Sequence, residues 1–128
     1  SVIPTLCYRA IKGLPLVVNG DGQQCRDFIY IEDIVRAFMI AGFESVIGSR
    51  EIFNVSSGRM VSLQQIVKQI GKLHKNTKIE FLTNEKNSET SYCCDFSKFS
   101  EKYGWRPRVS LSKGIKHTIS YFRGSNKI

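Results

Sequence analysis

The stretch Gly20-Asp21-Gly22-Gln23-Gln24-Cys25-Arg26-Asp27-Phe28-Ile29-Tyr30-Ile31-Glu32-Asp33 constrains this chain more than any other. Asn19-Gly20-Asp21-Gly22 is a turn cluster: glycine reaches backbone conformations closed to other residues, and Asn and Asp can bond their own backbone. Cys25 to Ile31 then reads as a strand, with Phe28 and Tyr30 on one face and Ile29 and Ile31 on the other. Glu32 and Asp33 fall where a helix should begin, and acids suit its positive end. Arg26 thus stands early on a strand, at the lip of a glycine turn, where a guanidinium can offer a planar fork of donors to phosphate oxygens. The other reading is a surface pair with Asp27 or a neighbouring acid, and the residues alone leave both open.

Around this stretch the pattern predicts short elements of both kinds. Pro4 to Ile11 carries apolar residues at helical spacing and stops at Gly13; Pro15 opens a strand, Leu16-Val17-Val18. The helix after Asp33 has Ile34, Val35, Phe38, Met39 and Ala41 on its apolar side and ends near Gly42 or Gly48. Ile52-Phe53-Asn54-Val55 reads as a strand before the turn Ser56-Ser57-Gly58. Ser62 with Gln65 forms a capping box for a helix to about Leu73, whose stripe is Leu63, Ile66, Val67 and Ile70. Lys78 to Leu82 alternates as a strand, and the polar Thr83 to Ser91 reads as a loop. Phe96, Phe99 and Tyr103 predict a short helix ending at Gly104 with Trp105 packed after it. Ser110 caps a last helix bearing Leu111, Ile115, Ile119 and Phe122. The expected fold class is α/β, one small mixed domain of short strands and several helices over residues 1–128.

Composition narrows the function classes. The chain's 128 residues and 41% hydrophobic content suit one domain with a modest core. No apolar run approaches the roughly 18–20 residues of a membrane span. The start, Ser1-Val2-Ile3-Pro4-Thr5, is not a signal peptide and reads as a cut inside a longer polypeptide. Cys7, Cys25, Cys93 and Cys94 fit neither a paired zinc spacing nor a disulfide scaffold, so reduced, apolar-packing cysteines in a cytoplasmic protein are expected, and no metal. The net charge of +8 suits either a nucleic-acid surface or attraction of a small polyanion such as a nucleotide diphosphate. The basic residues are scattered, however. Their densest stretch (Lys68, Lys72, His74, Lys75, Lys78) straddles a helix end and its following loop, where cations complement the dipole. A freestanding nucleic-acid-binding module would explain the charge but carries no recognisable motif here.

The order Val2-Ile3-Pro4-Thr5, then residues 12–35 (K-G-L-P-L-V-V-N-G-D-G-Q-Q-C-R-D-F-I-Y-I-E-D-I-V), then Phe53-Asn54-Val55-Ser56-Ser57-Gly58, then residues 95–115, resembles the extended short-chain dehydrogenase/reductases that act on nucleotide sugars. The resemblance spans essentially the whole chain and corresponds to the carboxy-terminal, substrate-binding part of such NAD-dependent epimerases and dehydratases. It implies that Arg26 binds the pyrophosphate of a nucleotide sugar and that Asn54 adds a polar phosphate contact in some members. It places Val17 and Asn19 along the nucleotide base, although Val17 could equally be core and Asn19 could simply suit the turn. Two departures stand out. Ser56 replaces the usual glycine after N-V, and Asn84 to Glu89 replaces the family's R-P-G-D or R-P-G-E, leaving Lys86 as a nearby point-charge substitute for its arginine. That puts tight diphosphate binding in question and gives some weight to a degenerate, non-catalytic relative.

The resemblance further implies a parent protein, a homodimer, that binds NAD through a glycine-rich loop and uses a Y-x-x-x-K pair. Neither belongs to this chain: no G-x-x-G-x-x-G occurs. Tyr8 and Lys12 match the tyrosine–lysine spacing, but Lys12-Gly13-Leu14-Pro15 falls in the family's G-x-P-L connection after the active site. The chain alone is therefore expected to be inactive, with His74 and His117 as surface or packing residues.

Overall fold

Residues 1–44, 50–74, 77–82 and 91–125 are described by the structure, a computed structural model, and among them five helices combine with four short strands. Helix α1 (Val2–Ile11) turns its Leu6, Cys7 and Ala10 inward. Strand β1 (Leu16–Asn19) alternates, burying Leu16 and Val18. Strand β2 (Cys25–Asp27) leads into helix α2 (Ile31–Glu44), and β3 (Met60–Ser62) into α3 (Leu63–Leu73). Strand β4 (Ile79–Leu82), α4 (Ser97–Tyr103) and α5 (Leu111–Ser125) follow.

The strands form two separate pairs. β1 lies parallel to β4, from Leu16 opposite Ile79 to Asn19 opposite Leu82; β2 lies antiparallel to β3, with Arg26 opposite Val61. The main core joins Leu6, Cys7 and Ala10 of α1 with Leu16, Val18, Ile66, Val67 and Ile70, closed by Ile115 and Ile119 of α5. A second core gathers Ala37, Phe99 and Trp105, with Phe53, Val55 and Phe96 packed around them. Gly114 of α5 lets that helix lie against Tyr30, since a β-carbon there would come within 3.0 Å of the ring.

Several local signals act as read. Ser62 Oγ accepts the Gln65 amide at 3.2 Å while Gln65 Oε1 accepts the Ser62 amide at 2.9 Å, the reciprocal capping box. Gly104 ends α4 in the left-handed region, φ 62°, and Trp105 is buried directly after it.

Others do not. The strand expected over Cys25 to Ile31 pairs only as far as Asp27, because β3 is three residues long and offers no further partner. Ile52 to Val55 forms no strand with any of the described residues, and Phe53 and Val55 pack into the aromatic core. On α2, Asp33 and Ala37 are buried, whereas Val35, Phe38 and Met39, expected to face inward, are exposed (Phe38 by 74%) together with Ile31 and Phe43. The helix buries its narrow Asp33–Ala37 side against Trp105 and Phe99, and its larger apolar residues line the opposite side. Of the cysteines, Cys7 packs as a small apolar residue, but Cys93 and Cys94 are exposed. Residues 83–90, most of the loop read over Thr83 to Ser91, lie outside the described residues, as does Gly48. No helix among the described residues is long and apolar enough to cross a membrane.

Candidate functional site

The turn after β1 is bolted to the start of α3. Gly20 and Gly22 both take positive φ, 69° and 72°. Asp21 Oδ1 accepts the Gln23 amide at 2.9 Å, Gly22 O accepts the Gln64 amide at 3.0 Å, and Asp21 O accepts Gln64 Nε2 at 2.8 Å. A β-carbon on Gly22 would meet Gln64, Phe81 and Val18, each at 3.1 Å. Glycine is thus required there by close packing as well as by conformation.

β2 then presents Arg26. Its Nη1 donates to the Cys25 carbonyl at 2.8 Å, and its guanidinium lies 5.5 Å from the centre of the Tyr92 ring. The neighbouring Asp27 is engaged elsewhere. It accepts the Ser57 amide (2.9 Å), the Ser57 hydroxyl (2.5 Å), the Gly58 amide (3.0 Å) and the Cys93 thiol (3.3 Å). Burial works to raise the Asp27 carboxyl, but these donors outweigh it and hold the group below the usual carboxylate range. Partial desolvation and the Asp27 carboxylate in turn push the Cys93 thiol up.

Val17, Asn19 and Arg26 line one cavity of about 310 Å³, together with Gln24, Phe28 and Leu6. Three residues singled out from the sequence therefore converge. Asn54 is exposed on the unpaired 50–57 stretch and does not line that cavity. Lys86 lies outside the described residues. Ser56, in place of the family glycine, is 4% exposed, and its hydroxyl donates to the Cys94 carbonyl at 2.8 Å, so it fastens this stretch to residue 94. Tyr8 packs edge-on against Phe122 at 5.8 Å with the Lys12 ammonium 5.7 Å from its ring centre, a packing arrangement. His117 stacks edge-on with Tyr30 at 5.5 Å.

The residue that sequence reasoning undervalued is Asp33. Read as an acid in a helix's first turn, it is 1% exposed and accepts the Arg108 amide on both oxygens at 3.0 Å, the Val109 amide at 2.9 Å and Arg36 Nη2 at 2.5 Å. Burial raises its carboxyl, the two amides and Arg36 lower it, and the lowering wins. The Trp105 indole donates to the Asp33 carbonyl at 3.3 Å. The only local hint was its place at the end of the R-D-F-I-Y-I-E-D run. Apart from Arg36, these partners lie more than 70 residues away.

The sequence contains no G-x-x-G-x-x-G loop of the kind that holds a dinucleotide's pyrophosphate between a strand and a helix. Among the described residues, no three His, Cys, Asp or Glu side chains converge as a metal site.

A mixed α/β unit of this order is the fold found in nucleotide-sugar epimerases and dehydratases of the extended short-chain dehydrogenase/reductase type. The chain belongs to the GDP-mannose 4,6 dehydratase family, which matches residues 1–118. It is 36% identical over 130 residues to UDP-N-acetyl-alpha-D-glucosaminuronate decarboxylase of Bacillus cytotoxicus, covering 96% of this chain and 40% of that protein. The UDP-glucose 4-epimerase of Thermotoga maritima, solved with UDP-glucose, superposes with a TM-score of 0.86 at 30% identity over 99% of this chain and 40% of that one. The UDP-glucuronic acid 4-epimerase of Bacillus cereus, solved with NAD, gives 0.83 at 27% identity over 99% and 40%. The chain thus spans about 40% of the length of these relatives.

Proposed function

We propose that this chain is the sugar-nucleotide-binding portion of an NAD-dependent epimerase or dehydratase, with Arg26 as the cation that meets the diphosphate. The observation that carries the reading is the meeting of Val17, Asn19 and Arg26 on one cavity. A flat base can lie along β1 at Val17 and Asn19 while the phosphates reach the guanidinium, whose paired donors match two phosphate oxygens. Asp27 is saturated by its own donors, so its negative charge is tied to the 57–58 turn. Asn54 and Lys86 would add polar contacts to a ligand reaching beyond the cavity. The chain's excess of 19 Lys and Arg over 11 Asp and Glu favours the approach of such an anion.

The work assigned to these residues is binding and orientation. Grip on the nucleotide holds the sugar in place for chemistry performed by groups outside this chain, and positioning of this kind accounts for a large share of rate in bound reactants. The exposed α2 stripe of Ile31, Val35, Phe38, Met39 and Phe43 is, on this reading, covered by the larger part of a longer protein, which would supply NAD, the acid–base pair and the homodimer contacts.

Amide chemical shifts of the chain titrated with UDP, dTDP, CDP and GDP test the proposal, because they register even millimolar binding. Shifts centred on residues 17–19 and 26, abolished in Arg26→Ala, are expected. A nucleotide response confined to other residues, or no response to any of the four, overturns it.

A further inference from the structure

A larger groove lies beside that cavity, and Phe28 borders both. It measures about 860 Å³, within the range of small-molecule sites. Its cations come from three elements. Lys68 and Lys72 sit one turn apart on α3, Arg106 and Arg108 lie on the segment before α5, and Arg59 stands at the β2–β3 connection. All five are exposed, no Asp or Glu lines the groove among the described residues, and none of the five takes part in a salt bridge there. Five like charges around one concavity repel each other and do not serve stability.

The wall is held firmly. Asp33 takes the Arg108 and Val109 amides, and Arg36 donates to the Arg106 carbonyl at 2.6 Å, so the segment carrying both arginines is pinned at its backbone while their side chains stay exposed. Between the cations lie apolar surfaces from Phe28, Phe96, Met60 and Leu111. Gln69 also lines the groove. Cations alone call for phosphates. Apolar surface beside them calls for a ring.

We propose that this groove binds a polyphosphorylated nucleotide, at a site separate from the Arg26 cavity and independent of what that cavity binds. Lys68, Lys72, Arg106 and Arg108 face the phosphate chain, and the apolar surfaces hold the base or sugar. Calorimetry of the chain with ATP, GTP and inorganic tripolyphosphate tests it, with circular dichroism confirming each variant's fold. At least one triphosphate is expected to bind, more tightly than tripolyphosphate. Lys68→Gln with Arg108→Gln should weaken it about tenfold or more, and Lys116→Gln, an exposed cation outside the groove, should leave it unchanged. The proposal is overturned by absence of binding, by tripolyphosphate binding as tightly as either nucleotide, or by loss of binding in Arg26→Ala with none in the Lys68/Arg108 variant.

Discussion

Asp27 holds Ser57 twice, by the amide at 2.9 Å and the hydroxyl at 2.5 Å, and so locks the strand that presents Arg26 against the 57–58 turn. The residue beside the proposed phosphate ligand is therefore a structural anchor. Three long-range contacts follow from its one carboxylate, to Ser57, Gly58 and Cys93. Asp27→Ala strands two backbone donors and is expected to destabilise the chain by about 1–3 kcal/mol, a typical cost for unsatisfied groups of this kind. Urea unfolding monitored by Trp105 fluorescence measures it. A midpoint unchanged from the parent chain would show that the turn does not depend on Asp27.

Acid should weaken the fold through Asp27 and Asp33. Both carboxyls lie below their ordinary value of 3.8, so the native state holds their protons less tightly than the unfolded chain does. Their contribution is fully present above the unfolded value. It is lost as pH falls through 3.8 toward the depressed native values. Urea midpoints should stay level from pH 7 to about 5 and fall steeply below about 4. Asp33→Asn should lower the midpoint at neutral pH and flatten that fall, and an identical acid limb in the variant would count against the clamp.

Glycine substitutions separate conformation from crowding. Gly104 and Gly58 both take positive φ, 62° and 68°. A β-carbon on Gly104 meets nothing within 4 Å among the described residues, whereas one on Gly58 would lie 2.7 Å from Phe96 Cε1. Gly104→Ala is expected to lose only the left-handed backbone term, about 1–2 kcal/mol. Gly58→Ala should lose distinctly more, since Phe96 packs on Trp105, with ring centres 5.7 Å apart. Equal losses in thermal unfolding would remove the steric part of this reading.

Thiol chemistry should follow burial. Cys7 is fully buried and its thiol is pushed up to about 11 by desolvation, while Cys93 and Cys94 are exposed. Ellman's reagent on the native chain should label Cys93 and Cys94 and spare Cys7 until denaturant is added. Rapid native labelling of Cys7, located by peptide mass mapping, would contradict the position of α1 in the core.

What the sequence made legible was what neighbouring residues decide. The capping box at Ser62, the left-handed end at Gly104 and the stripe of Leu63, Ile66, Val67 and Ile70 are all local, and each acts as read. What it hid depends on partners distant in the chain. β1 pairs with β4 across some 60 residues, and Ile52 to Val55, strand-like by composition, pairs with no strand among the described residues. On α2 both sides carry apolar residues, and only the arrival of Trp105 and Phe99 decides that Ala37 goes inward while Phe38 stays out. The site divides the same way. Arg26 was marked by the glycine turn before it, whereas Asp33 acquires its clamping role from distant amides at 108 and 109.

A crystal structure of the chain with UDP tests the central claim most directly. The expected result places the diphosphate within hydrogen-bonding distance of the Arg26 guanidinium and the base beside Val17 and Asn19. A bound nucleotide whose phosphates sit elsewhere, with Arg26 still stacked on Tyr92, would contradict it.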